Sequence, residues 1–315
     1  MTPTLSVIVP THRPRPAALR RTLAGLRSQT LAAREWETIV VDNASSPALD
    51  ASAWRDFAPP NLRLIREPSL GLTPARRRGL AEAAAALCLF VDDDNVLAPD
   101  YLAHAFRLFH EQPRVGAFGG RVQPEFEQPP EAWRHEFLPL LALRDLGPDP
   151  QFGRTLRPEG ATRNVYPACA PIGAGMALRR EALGDWLRQS HDDALSDRRG
   201  RELSSAGDND LVFAILQGGW TVAYFPELIL THLIPAARLD AAYLARLNRG
   251  IQESWMQVLT KHAANPWPPV AAWTVPLRQI KAWFTHRAWR SPAARIRWQG
   301  ACGHFAGRLR RISPR

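Results

Sequence analysis

Four short apolar runs open the chain, Leu5-Ser6-Val7-Ile8-Val9, Trp36-Glu37-Thr38-Ile39-Val40-Val41, Leu62-Arg63-Leu64-Ile65 and Leu87-Cys88-Leu89-Phe90-Val91. Each has the length of a buried strand, and helical patterns lie between them. Ala17 to Ser28 carries Leu19, Leu23 and Leu26 at helix spacing, and Pro74 to Ala86 is alanine-rich. Pro99 to Glu111 reads as helix again, and Val115-Gly116-Ala117-Phe118 begins another strand. Alternation of this kind implies an α/β fold with a mostly parallel, doubly wound sheet flanked by helices. Ligands of such sheets bind beyond the carboxyl ends of the strands. Three of those ends carry polar groups here: Thr11-His12-Arg13, Asp42-Asn43 and Asp92-Asp93-Asp94.

The acidic triplet is the most specific of the three. Adjacent carboxylates at the mouth of a core strand repel one another unless a cation neutralises them. Hard divalent cations such as Mg²⁺ or Mn²⁺ accept carboxylate oxygens and share them with substrate phosphates. A solvated turn whose Asp residues cap the next helix would use the same residues. Hydrophobic content of 45% and charged content of 22% are those of an ordinary globular protein. The three cysteines, Cys88, Cys169 and Cys302, are isolated, which excludes a thiolate zinc spacing and favours a reducing compartment. Met1-Thr2-Pro3-Thr4 lacks a basic region followed by an apolar stretch, so a secretory signal is not expected. No window is long and apolar enough to span a bilayer. A dinucleotide oxidoreductase would need Gly-x-Gly-x-x-Gly after an early strand, and none is present.

Farther along, Gln123 to Arg163 is proline-rich and reads as a long functional loop with short helices. Gly207 to Gly218 is predicted helical, opened by Asp208; Trp220 to Phe225 is a strand, and Ala241 to His262 a long helix. The net charge of +10 is confined to the end of the chain. Residues 265–315 hold ten Lys/Arg and no Asp or Glu, which leaves positions 1–264 neutral. Five of the 11 tryptophans lie there, Trp267, Trp273, Trp283, Trp289 and Trp298. Trp273, Leu277, Ile280 and Phe284 form one helical stripe; Trp298, Cys302, Phe305, Leu309 and Ile312 form another, with Arg297, Arg308, Arg310 and Arg311 between them. Two readings stay open for this tail: an amphipathic element at an anionic membrane surface, or stripes packed on the catalytic domain with solvated arginines. Nucleic acid is not an expected partner.

Taken in order, Val7-Ile8-Val9-Pro10-Thr11, Val40-Val41-Asp42-Asn43-Ala44-Ser45, Gly71-Leu72-Thr73-Pro74-Ala75-Arg76, the triplet, Gly173-Ala174-Gly175-Met176-Ala177, Gly207-Asp208-Asn209-Asp210-Leu211 and His232 resemble a family-2-type glycosyltransferase of the GT-A fold. The resemblance covers roughly residues 4–235. It implies a domain over 1–235 that binds a nucleotide sugar and catalyses transfer, a helix over 236–264 that packs on or leads from it, and the basic tail over 265–315. It implies that Pro10, Thr11, Arg13 and Asp42 hold the nucleoside, while Arg76 contacts phosphate. Asp92 and Asp94 would bind Mn²⁺ or Mg²⁺ against the diphosphate, with His232 completing the set, and Asp92 and Asp93 would belong to the nucleotide-sugar site; alternation along an extended segment would turn Asp93 toward the scaffold. Gly173, Ala174 and Gly175 would pass close to the donor sugar. Asp208 would be the base of an inverting transfer, supported by Asp210. The family's Glu before that Asp is replaced by Gly207. The segments Gly119 to Phe126, Pro129 to Trp133 and His232-Leu233-Ile234-Pro235 with Arg238-Leu239 resemble bacterial members that build exopolysaccharide. The expected partners are a nucleotide-sugar donor and a saccharide or lipid-linked acceptor. The cytoplasm is the expected location, with peripheral attachment to the cytoplasmic membrane face left open by the tail. The alternatives are a catalytically degenerate nucleotide-sugar-binding scaffold at a membrane, or a sugar-phosphate nucleotidyltransferase. The latter should carry a Gly-rich loop after its first strand, where this chain has Pro10-Thr11-His12-Arg13-Pro14.

Overall fold

Alternation of side chains along the first strands decides the layering. In the computed structural model, which describes residues 3–187 and 207–309, β1 (Leu5–Thr11) is buried along its whole length. Leu5, Val7 and Val9 face α1 (Pro16–Arg27) and α3 (Tyr101–Glu111), where Leu19, Leu23, Leu102 and Phe109 pack. Ile8 faces the other way, toward α2 (Leu72–Glu82) and α4 (Gly207–Gln217), among Leu80, Leu211 and Phe213. A strand covered on both faces has no polar side to show, and β1 reads as a nearly continuous apolar run, interrupted by Ser6, whose hydroxyl donates to Glu37 Oε1 at 2.7 Å.

The sheet has nine strands, in the order β3-β2-β1-β4-β8-β6-β9-β5, with β7 paired to β9. β2 (Trp36–Asn43), β3 (Leu62–Glu67) and β4 (Leu87–Phe90) join β1 in the parallel half. Past β4 the sheet becomes mixed. β8 (Ala177–Arg179) runs antiparallel between β4 and β6 (Val115–Phe126), and β5 (Asn95–Leu97) and β7 (Gln151–Gly153) run antiparallel to β9 (Thr221–Ile234).

Several elements differ from their sequence-based bounds. α2 stops at Glu82, four residues before the expected end at Ala86. The backbone N–H groups of Ala84 and Ala85 leave the helix to donate to Glu37 Oε1 and Ser6 Oγ, at 2.8 and 3.1 Å. Buried acceptors from neighbouring strands thus override alanine's helix propensity. β9 runs on to Ile234, far beyond Phe225, because β6 extends beside it as far as Phe126. Part of the presumed 123–163 loop is therefore strand, and Ala132–Leu141 forms a 3₁₀ segment.

The C-terminal helices answer half of the question about the tail. α5 (Ala241–Lys261), capped by Asp240, is covered by α7 (Pro292–Gly307). Cβ atoms at Gly303 and Gly307 would overlap the carbonyl oxygens of Arg249 and Glu253, so bare glycine lets the two backbones meet. Cys302 is buried in this contact, while Arg297 makes a two-pronged ion pair to Glu136 at 3.0 and 2.7 Å. Of the second tail stripe, Cys302 is buried and Trp298 donates to Gln279 O of α6 (Val275–Thr285) at 3.0 Å, while Leu309 is exposed. Its last member, Ile312, lies outside the described residues, as do Arg310 and Arg311. α6 buries only Ala282, and the first stripe is exposed.

Candidate active site

β4 ends at Phe90, and the chain then turns: Asn95 N–H closes back on Asp92 O at 3.0 Å. Asp92, Asp93 and Asp94 are thus splayed by a turn and do not alternate along an extended segment. They border a cleft of about 570 Å³ at the carboxyl ends of β1 and β4, a size that suits a small ligand. Pro10, Thr11, His12 and Asn43 form another part of its wall, and Gly173, Ala174, Asp208, Asn209 and His232 also line it. The strand ends, the glycine passage and the helix start that lie far apart in the sequence therefore share one cavity.

Asp208 stands in the first turn of α4. Its Oδ2 accepts the Gly173 N–H at 2.7 Å, and its Oδ1 accepts from Arg76 Nη1. The other arm of Arg76 reaches Asp92 Oδ1 at 3.3 Å, and its guanidinium lies 4.9 Å over the Phe90 ring. A Cβ at Gly173 would overlap both Arg76 and the Asp208 carboxylate. A side chain there would require Arg76 or the Asp208 carboxylate to shift. Arg76, expected on phosphate, is instead paired with two carboxylates here, and it still lines the cleft.

Across the cleft, Asp94 and His232 are both buried and face each other at 3.6 Å. Arg238 joins them, with Nη2 at 2.9 Å from Asp94 Oδ2 and Nη1 at 2.8 Å from His232 Nε2. A guanidinium only donates, so His232 Nε2 is the acceptor and its proton sits on Nδ1, which is buried without a partner. The expected metal set of Asp92, Asp94 and His232 needs correction. Among the described residues no three His, Cys, Asp or Glu side chains are gathered for a metal, since Asp92 is drawn to Arg76. The remaining pair does fit a divalent cation. Two donors each about 2.1 Å from one ion stand about 3.0–3.6 Å apart at ordinary coordination angles.

Asp93 accepts a hydrogen bond from Thr11 Oγ1. Burial holds its pKa above the usual carboxylate range, and Asp94 and Asp92 add to this against the opposing Thr11 bond. Asp210 lies on the far side of α4, away from the cleft. Its Oδ1 accepts from His262 Nε2 and Lys261 Nζ, both at 2.7 Å, and its Oδ2 from Trp186 Nε1 at 3.2 Å. Burial alone would raise its pKa, but these hydrogen bonds outweigh it and hold the group down to about 2. Gln217 donates to His262 Nδ1 at 3.2 Å, which leaves the Nε2 proton for Asp210. Asp210 therefore anchors the helix that presents Asp208, and it does not reach the cleft.

Three other expected ligand-binding residues do not line the cleft. Asp42 is buried, with Ser45 N–H on Oδ1 at 3.0 Å and Leu49 N–H and Arg66 on Oδ2 at 3.2 and 3.1 Å. Its carboxylate is consumed by the loop it organises, as in an Asx turn. Arg13 adopts positive φ and donates its N–H to Ser45 Oγ. Gly175, also at positive φ, is packed under Leu230 and Tyr101. Conversely, sequence reasoning assigned no role to Asn43, His12 or Arg238. Asn43 ties β2 to the loop before α2, donating to Ser69 O at 2.7 Å and accepting from Gly71 N–H at 2.7 Å. Arg238 could have been singled out only as a basic residue shortly after His232.

The fold is GT-A: a mannosyltransferase from Pyrobaculum calidifontis, solved in complex with GDP-Man and Mn²⁺, superposes with a TM-score of 0.55 at 20% identity, over 96% of this chain and 74% of that one. Residues 6–187 match glycosyl transferase family 2, and the chain belongs to that family. An N-acetylglucosaminyltransferase of Sinorhizobium fredii is 26% identical over 265 residues, 82% of this chain and 59% of that protein. The succinoglycan biosynthesis protein ExoW of Rhizobium meliloti is 33% identical over 107 residues, 33% of each chain. The chain spans little more than half the length of the N-acetylglucosaminyltransferases it resembles, 59% and 52%.

Proposed function

We propose that this protein moves a hexosyl or similar sugar, with inversion, from a nucleotide-diphosphate sugar to a hydroxyl of a saccharide or lipid-linked acceptor in bacterial surface polysaccharide synthesis. The observation that carries the reading is the placement of Asp208 and the acidic turn around one cleft. Asp208 removes the acceptor hydroxyl proton as that oxygen attacks the anomeric carbon. The bond from that carbon to the diphosphate oxygen breaks, and its electron pair leaves with the nucleoside diphosphate. Asp210 acts only through the position of α4. Gly173 keeps the carboxylate aimed by its N–H. Arg76 would be drawn to the arriving diphosphate, which leaves Asp208 a stronger base.

Four carboxylates line the cleft against two guanidinium groups. A diphosphate adds further negative charge, so a cation is needed to hold it there. Asp94 and His232 would bind Mn²⁺ or Mg²⁺, with Asp92 near, and the ion would offset charge on the leaving group. Pro10 and Thr11 would flank the nucleoside, together with His12 and Asn43. Asp42 and Arg13 would act by shaping that wall. Relatives named for N-acetylglucosamine transfer and succinoglycan biosynthesis support a polysaccharide product. Among the described residues no helix is long and apolar enough to cross a membrane. A lipid-borne acceptor would place the protein at the cytoplasmic membrane face.

Gly207, in place of the family's Glu, favours a second reading, a nucleotide-sugar-binding scaffold without turnover. A panel of nucleotide sugars with Mn²⁺ separates the two. The proposed enzyme hydrolyses or transfers from one donor and loses that activity in Asp94→Ala. If no donor is turned over, and Asp94→Ala alters nothing, the enzyme reading fails.

A further inference from the structure

The described part of the C-terminal segment holds two features that the catalytic cleft does not use, and they adjoin. The first is the exposed side of α6. Trp273, Leu277, Ile280 and Phe284 are each more than half exposed, with Trp273 at 75%. At about 100° per residue Leu277, Ile280 and Phe284 share one side of the helix, opposite Ala282, its only buried residue, and Trp273 stands in the 3₁₀ turn Ala272–Thr274 just before it. Lys281 flanks that side. The second is a groove of about 830 Å³ between α5 and the α6–α7 turn. Arg246, Arg249, Arg290 and Arg295 line it, with Trp283 and Trp289 in its wall. The two features meet at Trp289, whose ring lies 5.8 Å from Phe284 and 6.3 Å from Trp283.

The groove is built for anions. Among the described residues, no carboxylate pairs with Arg246, Arg290 or Arg295. The groove's one acidic lining residue, Asp240, caps α5, its Oδ1 accepting the N–H groups of Ala242 and Tyr243. Apolar side chains beside unpaired arginines and half-exposed tryptophans make a surface with one end for lipid and one for charge.

We propose that this face docks on the anionic headgroups of a lipid bilayer. α6 lies in the interface with its apolar stripe among the upper acyl chains, and the α5/α7 groove receives a headgroup phosphate. α7, locked on α5 through its glycines, transmits the anchorage to the catalytic domain. α5 itself lines both cavities, the catalytic cleft through Tyr243 and Ile251 and the anionic groove through Arg246 and Arg249. The proposal refines the tail reading and does not depend on which donor is used.

Flotation of the full chain with phosphatidylcholine vesicles, with and without phosphatidylglycerol, tests it in the absence of any nucleotide sugar. The result is therefore independent of the donor panel. The wild type should float with the anionic vesicles and stay down with the neutral ones. Arg290→Gln with Arg295→Gln should weaken partition by roughly 25-fold, at about fivefold per cation. Leu277→Ser with Phe284→Ser should weaken it at least about tenfold; both sites are exposed, so the fold should survive, as an unchanged circular dichroism melt would verify. Brominated acyl chains should quench tryptophan fluorescence in the wild type and not in the Leu277/Phe284 variant. Equal flotation of wild type and both variants overturns the proposal. So does a stable dimer in light scattering that Leu277→Ser with Phe284→Ser dissolves without lipid, because the stripe then belongs to a second copy of the chain.

Discussion

Replacing Gly173 by alanine should disable transfer while leaving the fold intact. The new Cβ would lie 2.6 Å from Asp208 Oδ1, and closer still to Oδ2 and to Arg76 Nη2, where ordinary contact begins near 3.4 Å. Relief requires the carboxylate, the guanidinium or the 172–174 backbone to shift by about 1 Å. Misplacement of a catalytic group by that distance costs about 100-fold in rate. The substitution adds one methyl group beside an open cleft, so stability should fall by at most about 1–3 kcal/mol. Steady-state kinetics with the donor found by panel, beside a urea titration, read the two quantities separately. kcat should fall about 100-fold, with donor affinity within several-fold of wild type. A variant whose kcat stays within twofold would refute the claim that the Gly173 N–H and its empty Cβ position aim Asp208.

Other expectations follow from the same contacts. Asp210, depressed to about 2 by His262 and Lys261, contributes about 2 kcal/mol of stability at neutral pH. A depressed carboxylate stabilises above its unfolded pKa of about 3.9 and loses that contribution as pH falls through about 2. The difference between wild type and Asp210→Asn in urea unfolding should therefore be full at neutral pH and shrink from about pH 4 down to about pH 2; a constant difference would contradict the assignment. Arg238 shares Asp94 and His232 with any cation that binds there. Arg238→Gln should raise Mn²⁺ affinity of the nucleotide-free protein roughly tenfold, since a neighbouring positive charge is removed. Electron paramagnetic resonance of free Mn²⁺ measures this, and an unchanged affinity would show that the cation sits elsewhere.

The parallel half of the sheet was legible because β1, β2 and β4 are buried on both faces and their sequences are mostly apolar, with Ser6, Glu37 and Thr38 as the interruptions. The antiparallel insertions were not: β5, β7 and β8 are three residues each, too short to show a period. That Asp92, Asp94, Gly173, Asp208 and His232 line one cleft was legible because strand ends and helix starts carry their chemistry openly. What they touch was not. The pairing of Arg76 with Asp208 spans 132 residues and that of Asp210 with His262 spans 52, so only the tertiary fold brings them together. Asp42 shows the opposite case. Its position at a strand end implied ligand contact, while local hydrogen bonding to Ser45 and Leu49 takes up the carboxylate. The two tail stripes have the same spacing in sequence. Gly303 and Gly307 lie beside the second, and their backbone-to-backbone contact with α5 separates a packed helix from an exposed one.

The most direct measurement is a comparison of Asp208→Asn with wild type for donor binding by calorimetry and for sugar transfer by product formation. As the acceptor's base, Asp208 should leave donor affinity within about threefold and lower transfer by about 10²–10⁴-fold when its carboxylate is lost. Transfer retained within a few-fold of wild type would contradict the account.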